Sequence, residues 1–107
     1  GLLSFLTATR TDIDAAVCFY GVGIENKVDE AKSLSRPVML HMAEEDQFVP
    51  KAAQATLTEA LSAHPLVTLH NYAGRDHAFA RKGGEHYDAA DAALAEQRTL
   101  AFFAANL

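Results

Sequence analysis

An aspartate and a histidine follow two successive strand-like segments, and they are the side chains best placed in this sequence to do chemistry. Asp46 comes shortly after the apolar segment 37–42, and His77 comes shortly after the segment 66–72. In a triad of nucleophile, histidine and acid, the histidine takes the proton of a serine or cysteine, while the aspartate fixes the imidazole tautomer and stabilises the imidazolium. His77 and Asp46 could fill these last two roles.

The order of the two residues is compatible with a catalytic triad but does not by itself assign Asp46 to one. Both would lie beyond the C-terminal ends of neighbouring parallel strands, where open α/β sheets place their ligand sites. An acid followed by a histidine matches the end of the Ser/Cys, Asp, His order of α/β-hydrolases. An aspartate in a turn before Val49-Pro50 is, however, more commonly a turn or capping residue. Spacing alone leaves both interpretations of Asp46 open.

The other histidines favour structural roles. They stand inside the two strand-like segments, at a helix end, and at the start of the last helix: His41, His70, His64 and His86. No two of them have the close helical spacing of a zinc site such as H-E-x-x-H. We therefore expect no metal.

An arginine near the candidate histidine could bind an anion, whereas a nucleophile is missing. Arg81 follows His77 by four residues, and its guanidinium could hold a carboxylate through two hydrogen bonds. The alternative is a surface arginine beside Lys82. Ser4 lies in an apolar helical segment without a G-x-S-x-G turn, and Cys18 stands in an apolar run typical of an inert core thiol.

Composition predicts one soluble globular unit. The 107 residues are 50% hydrophobic and 21% charged. A net charge of -5 with scattered lysines and arginines argues against nucleic acid as a partner. No apolar run reaches the roughly 18 residues that cross a bilayer, no signal peptide is evident, and the single cysteine excludes an internal disulfide. We expect a cytoplasmic protein without membrane contact.

Apolar periodicity predicts an α/β fold with three parallel strands and flanking helices. The predicted strands are 15–20, 37–42 and 66–72, and the predicted helices are 2–9, 28–34, 50–63 and 85–105. Alternation of strands and helices implies parallel pairing with right-handed crossovers. The last helix should bury a face that includes Ala93 and Leu100.

Three strands make a thin sheet, which suggests that the chain is part of a larger domain. The helix 2–9 is apolar nearly all the way round, which predicts burial between other layers. The first strand would present an unpaired hydrophobic edge. We therefore predict that residues 1–107 form a single incomplete domain, the C-terminal part of a larger one. The alternative is a chain that associates through this edge.

Several segments carry a resemblance to a known family. The loop sequences are DQFVP at 46–50 and YAGRDHAFAR at 72–81, and two further matches are FYGVG at 19–23 and EQRTLAFF at 96–103. Over essentially all 107 residues the sequence resembles the dienelactone hydrolases, or carboxymethylenebutenolidases, of the α/β-hydrolase superfamily. It departs from them at Asp76, where a small residue is common.

The resemblance implies a role for each matching residue. The family's nucleophile is a cysteine in a G-x-C-x-G-G elbow, and the second glycine of that motif aligns with Gly1. By resemblance, Asp46 is the acid and His77 the base of the triad. Arg81 is then a ligand of the substrate carboxylate, and Tyr20 borders the pocket.

These roles imply a hydrolase whose nucleophile lies upstream of this chain. Such an enzyme opens a small anionic ester or lactone through an acyl-enzyme and needs no cofactor. The fragment alone would be inactive. The alternative is a non-catalytic assembly or binding module, which uses its exposed sheet edge to complement the missing N-terminal half or a second copy of itself.

Overall fold

The computed structural model describes residues 1–107 and contains three strands, three α-helices and two short 3₁₀ helices. In chain order these are α1 (Leu2–Arg10), β1 (Ala16–Phe19), the 3₁₀ helices Ile24–Asn26 and Val28–Ser33, β2 (Val38–Ala43), α2 (Lys51–Leu61), β3 (Val67–Tyr72) and α3 (Ala89–Asn106). The predicted elements occur in the predicted order, with small differences at most of their ends, and the 3₁₀ helix Ile24–Asn26 is an element that was not predicted.

The strands form one parallel sheet in the order β1-β2-β3. β2 lies in the centre, where Leu40 is paired with Cys18 of β1 and with Leu69 of β3. All six residues of β2 are buried, as expected for a central parallel strand that is covered on both faces. The predicted α/β class with three parallel strands and flanking helices is confirmed.

Alternating side chains of β2 divide the core in two. Successive residues of a strand point to opposite faces of the sheet. Leu40 packs in a cluster that includes Phe5 of α1 and Leu57 of α2. Ala43 belongs to a smaller cluster with Ala95 of α3. The sheet therefore lies between a layer of α1 and α2 and a layer made by α3.

Within residues 1–107 the first helix is buried on one face, and its predicted burial between further layers stays a prediction. α1 buries one face, which carries Phe5, Ala8 and Thr9, whereas Leu3 is 78% exposed. Its neighbours are β1 and the second 3₁₀ helix. An apolar composition around a helix gives each face the capacity to be buried, but the neighbouring layers decide which face is used.

The last helix differs from its prediction in both its start and its buried face. α3 begins at Ala89, after the predicted residue 85, because the Asp88 carboxylate accepts a hydrogen bond from the Asp91 N–H at 2.8 Å and caps the helix there. Its fully buried residue is Ala95, whereas Leu100 is 62% exposed. The small side chain of Ala95 lets α3 lie close to the sheet. The helix therefore turns Ala95, and not the more apolar Leu100, toward the sheet.

The surface next to β1 is open. β1 has β2 as its one hydrogen-bonded neighbour, so its other edge is unpaired. A groove of about 240 Å³ runs beside this strand, and Ile13, Val17 and Phe103 are among its lining residues. No helix in the structure has both the length and the apolar character that crossing a membrane requires.

A buried histidine network fixes α3 to the sheet. His41 of β2 is fully buried. Its Nδ1 lies 2.8 Å from the Tyr72 hydroxyl and its Nε2 lies 2.9 Å from Thr99 Oγ1 of α3. The ring stacks on Phe19 at a centroid distance of 4.5 Å. Both ring nitrogens are therefore satisfied inside the protein, in agreement with the structural role predicted for His41.

The surroundings of His41 keep the ring neutral. Burial, together with the smaller effects of the positive charges of His70 and Arg98, lowers the pKa of His41 from its ordinary value of 6.5 to about 4. A proton on this ring would be desolvated and close to another cation. The network consequently depends on a neutral imidazole that donates one hydrogen bond and accepts another.

Substitution of a buried leucine of the central strand should be far more costly than that of an exposed one. Leu40 is fully buried, whereas Leu100 is 62% exposed. We expect Leu40→Ala to lower the free energy of unfolding by about 2 to 5 kcal/mol, through lost burial and the cavity it leaves. Leu100→Ala should change it by less than about 0.5 kcal/mol. Urea unfolding followed by circular dichroism measures both, and equal losses would contradict the layer arrangement described here.

The low pKa of His41 predicts an acid-sensitive fold. Above pH 6.5 the ring is neutral in both the folded and the unfolded chain. Between pH 6.5 and about 4, His41 is protonated in the unfolded chain and neutral in the folded chain. His41 should therefore lower the free energy of unfolding by about 1.4 kcal/mol for each pH unit in this range. In His41→Gln this contribution is absent. The difference in unfolding free energy between wild type and variant should therefore shrink as the pH falls through this range, and a constant difference would contradict the prediction.

Candidate active site

The turn after β2 places Asp46 with its carboxylate directed inward. The Asp46 N–H donates to the Ala43 carbonyl at 3.3 Å, and the Val49 N–H donates to the Asp46 carbonyl at 3.2 Å. The Asp46 side chain is fully buried, and its Oδ1 accepts a hydrogen bond from the Phe48 N–H at 2.9 Å. Asp46 is thus the turn residue that one interpretation of the sequence predicted. Its second oxygen remains available for another partner.

That partner is His77. The loop after β3 brings His77 Nδ1 to 2.9 Å from Asp46 Oδ2. An ionised carboxylate can only accept, so Nδ1 carries the hydrogen and Nε2 of the neutral ring carries a lone pair. The two interpretations of Asp46 are therefore compatible, since one carboxylate oxygen holds the turn and the other holds the imidazole.

Aromatic rings fix the plane of the imidazole from two directions. The Phe48 ring meets the His77 ring edge to face at a centroid distance of 5.0 Å, and the Tyr20 ring lies at 5.1 Å. The His77 side chain nevertheless keeps 29% of its surface exposed. A histidine with one nitrogen bonded and two faces packed has little freedom to rotate. The edge of the ring that carries Nε2 is left free of protein hydrogen bonds.

An open cleft of about 310 Å³ lies beside this ring. His77 shares it with the first turn of α1 and with the loop after β1, and the remaining lining residues are Gly1, Leu2, Leu3, Phe19, Tyr20 and Val22. The first turn of a helix has backbone N–H groups without intrahelical partners, and the helix dipole makes that end electropositive. The cleft therefore combines a histidine with a region that favours negative charge.

Tyr20 lines the cleft beside His77. Its hydroxyl accepts a hydrogen bond from the Ala80 N–H at 3.1 Å, and its ring meets Phe79 edge to face at 5.5 Å. Its φ of 52° is uncommon for a residue with a bulky side chain. Burial raises the pKa of the Tyr20 hydroxyl, while the Ala80 hydrogen bond lowers it. Tyr20 therefore ties the loop after β1 to the loop that carries His77.

Arg81 is on the same loop but outside the cleft. Its backbone N–H donates to the Ala78 carbonyl at 3.0 Å, and the side chain is exposed. It forms no ion pair and does not line the cavity beside His77. Arg75, in contrast, contacts two carboxylates: its Nη1 lies 3.2 Å from Asp88 Oδ1, and its Nε lies 2.9 Å from Asp91 Oδ2. The second contact is an ion pair that is not aligned as a hydrogen bond. Of the two arginines, only Arg81 is unpaired.

The structure adds residues that the sequence did not single out. Phe48 packs on His77, although 56% of its surface is exposed. In the sequence, only its position between Asp46 and Pro50 pointed to a role in the site. Gln47 reaches Asp76 through its backbone N–H at 3.0 Å. His86, predicted to begin the last helix, lies in the loop before α3.

Cys18 has the properties predicted for a core thiol. It is fully buried in β1. Burial raises the pKa of its thiol to about 12, so the thiolate is not formed at neutral pH. Cys18 is therefore unsuited to act as the nucleophile that the Asp46 and His77 arrangement calls for.

Comparisons with known proteins find relatives over nearly the whole length of this chain. A profile of the dienelactone hydrolase family matches residues 1–107. A protein of Azospirillum brasilense, assigned as a carboxymethylenebutenolidase, is 49% identical over 98% of this chain and 46% of its own length. The carboxymethylenebutenolidase of Pseudomonas putida is 39% identical over 97% of this chain and 44% of its own.

A solved structure agrees with these sequence matches. The crystal structure of a protein from Klebsiella pneumoniae subsp. pneumoniae, assigned as a dienelactone hydrolase, superimposes with a TM-score of 0.81 at 28% identity. The match covers 95% of this chain and 47% of that protein, so the chain spans about half the length of the relatives it matches. The three parallel strands, their helices and the full-length family match lead to one conclusion: the chain belongs to the dienelactone hydrolase family.

Proposed function

We propose that the protein carrying this chain hydrolyses a small ester or lactone, with Asp46 as the acid and His77 as the base of a catalytic pair. The observation that supports this most strongly is the 2.9 Å contact between His77 Nδ1 and a carboxylate that is itself fully buried. This contact sets the tautomer that a general base needs, with a lone pair on Nε2. The open cleft beside the ring gives a substrate access to that nitrogen.

The nucleophile of this proposal is a cysteine just upstream of Gly1, as in the family elbow. The first turn of α1 lines the cleft together with His77, and this supports a nucleophile at that helix end. His77 Nε2 would take the thiol proton as sulfur attacks the ester carbonyl, and then return it to the leaving alkoxide. Water activated by the same nitrogen would release the acid. Backbone N–H groups at the start of α1 are suited to stabilise the oxyanion.

Substrate selection in this proposal depends on charge. Arg81 is exposed, has no ion-pair partner and follows His77 on the same loop. A guanidinium in that state can hold a carboxylate with two parallel hydrogen bonds. We therefore assign to the substrate a carboxylate in addition to its ester or lactone, with Tyr20 forming part of the pocket wall.

The proposal that residues 1–107 are the C-terminal part of a larger domain has separate support. The free edge of β1 offers unpaired backbone groups to another strand, and the chain spans 44% to 46% of two relatives. A non-catalytic assembly module could use the same edge. The catalytic pair favours the hydrolase, because assembly through a strand edge has no need of a buried carboxylate paired with a histidine beside a cleft.

Removal of the proposed base should nearly abolish hydrolysis. In the full-length protein, His77→Ala should reduce kcat for an ester or enol-lactone by roughly 10⁴-fold or more, since triad residues act as a unit. Initial rates measured spectrophotometrically on the folded variant test this. His70→Ala is the matched control, because His70 lies in β3 away from the cleft and should leave the rate near that of the wild type. Wild-type activity in His77→Ala would exclude the proposed role.

Removal of the proposed anion anchor should affect only charged substrates. Arg81→Ala should raise KM for an ester that carries a carboxylate by about 10- to 100-fold, which corresponds to a lost charge-assisted hydrogen bond. KM for the matching neutral ester should not change. Lys82→Ala removes the adjacent exposed cation and serves as the control for general electrostatics. Equal effects of Arg81→Ala on both esters, or of both variants on the anionic ester, would contradict direct binding.

A further inference from the structure

We propose that Asp76 is a positioning residue, which holds the loop of Asp46 against the loop of His77. This inference rests on the proposed function, since Asp76 acts through the catalytic pair and touches no reacting atom. In this inference the Asp76 carboxylate joins two loops whose backbones are not hydrogen-bonded to each other at this position.

One carboxylate oxygen of Asp76 joins the main chains of the two loops. Oδ1 accepts a hydrogen bond from the Gln47 N–H at 3.0 Å and another from the His77 N–H at 2.6 Å. Gln47 follows Asp46 directly, so the two bonds hold the residue next to the proposed acid and the proposed base itself. On the other side, Oδ2 lies 3.5 Å from Gln47 Nε2 and 3.6 Å from His86 Nε2.

Few other hydrogen bonds join the loop of Asp46 to the loop of His77. Nearer the strands, the Glu45 N–H donates to the Arg75 carbonyl at 2.8 Å. Beyond that point, the hydrogen bonds between the two loops are those of Asp76, the contact within the catalytic pair and a 3.5 Å contact between Gln47 Nε2 and His86 Nε2. The Phe48 ring also packs on His77. Asp76 is the one side chain that accepts hydrogen bonds from backbone N–H groups of both loops, so it contributes to the distance between Asp46 and His77.

An ionised carboxylate is suited to this task. The hydrogen bonds from the His77 and Gln47 backbone lower the pKa of Asp76 below its usual value, so the group is charged at neutral pH. Charge-assisted hydrogen bonds are shorter and stronger than neutral ones. The side chain is only 27% exposed, which limits competition from water. Without this oxygen, two backbone N–H groups lose their acceptor, and the two loops can separate.

The first test measures catalysis in the full-length protein. A displacement on the order of 1 Å at a catalytic group can cost about 100-fold in rate. Asp76→Ala should therefore lower kcat by about 10- to 100-fold with little change in KM, because the binding cleft is not altered. Asp76→Asn retains an oxygen acceptor and should recover most of the lost rate. Glu45→Ala is the matched control, since the side chain of Glu45 contacts Lys51 and its removal subtracts the same charge from the neighbouring loop.

The second test observes the histidine directly and needs no substrate. His77 Nδ1 lies 2.9 Å from Asp46 Oδ2. In the tautomer that the proposed function requires, the proton on Nδ1 should give a downfield, slowly exchanging resonance in proton and nitrogen NMR spectra. This resonance should be absent in His77→Ala, which assigns it. In Asp76→Ala it should broaden or disappear through exchange with water, and in Asp76→Asn it should return.

The two tests separate failure of this inference from failure of the proposed function. An unchanged resonance together with an unchanged kcat in Asp76→Ala would overturn the positioning role while leaving the catalytic pair intact. If His77→Ala is fully active, the proposed function fails, and the resonance in Asp76→Ala still decides whether Asp76 positions the ring. Should Asp76→Ala not fold, Asp76→Leu, which keeps a side chain of similar size and has no acceptor, replaces it in both measurements with the same expected and contradicting results.

Discussion

The parallel register of β2 and β3 is the constraint on which the site depends. Ala43 and Tyr72 are paired residues at the ends of these strands, so the two chains leave the sheet side by side and at the same level. The ladder continues one step further, because the Glu44 N–H donates to the Tyr72 carbonyl at 3.1 Å. A shift of one residue in this register would turn every side chain of the moved strand to the opposite face. The distance between Asp46 and His77 is therefore determined first by backbone pairing and only afterwards by the side chains.

Burial of the Asp46 carboxylate makes that distance difficult to change. A buried anion is costly unless hydrogen bonds replace its hydration. The Phe48 N–H and His77 Nδ1 supply such bonds, one to each oxygen. Loss of the histidine contact would leave one oxygen of a fully buried side chain unsatisfied, which typically costs several kcal/mol when a single partner of a buried pair is removed. The hydrogen bond that the buried Asp46 carboxylate needs is thus the same one that orients His77 as a base.

Local patterns in the sequence predicted the strands, both loops and the candidate pair, because these features depend on neighbouring residues. They did not predict the buried face of α3, since the choice of Ala95 over Leu100 depends on how closely the helix approaches the sheet. The start of α3 depends on a single cap, Asp88, within a run that has helical composition throughout. The bridging contacts of Asp76 were likewise beyond sequence reasoning, because they link segments that are adjacent in space and far apart in the chain.

His77 is held from the side of β1 as well as from the side of β2. Tyr20 reaches it with its ring and binds the Ala80 N–H with its hydroxyl, while Ala78, directly after the histidine, has a φ of 64°. Two residues other than glycine in left-handed conformations are strained arrangements, and they persist only where surrounding contacts hold them. Here the contacts come from three loops that follow three adjacent strands. The imidazole is therefore positioned by the sheet as a whole, so a substitution that alters strand spacing should disturb His77 even where it touches none of its neighbours.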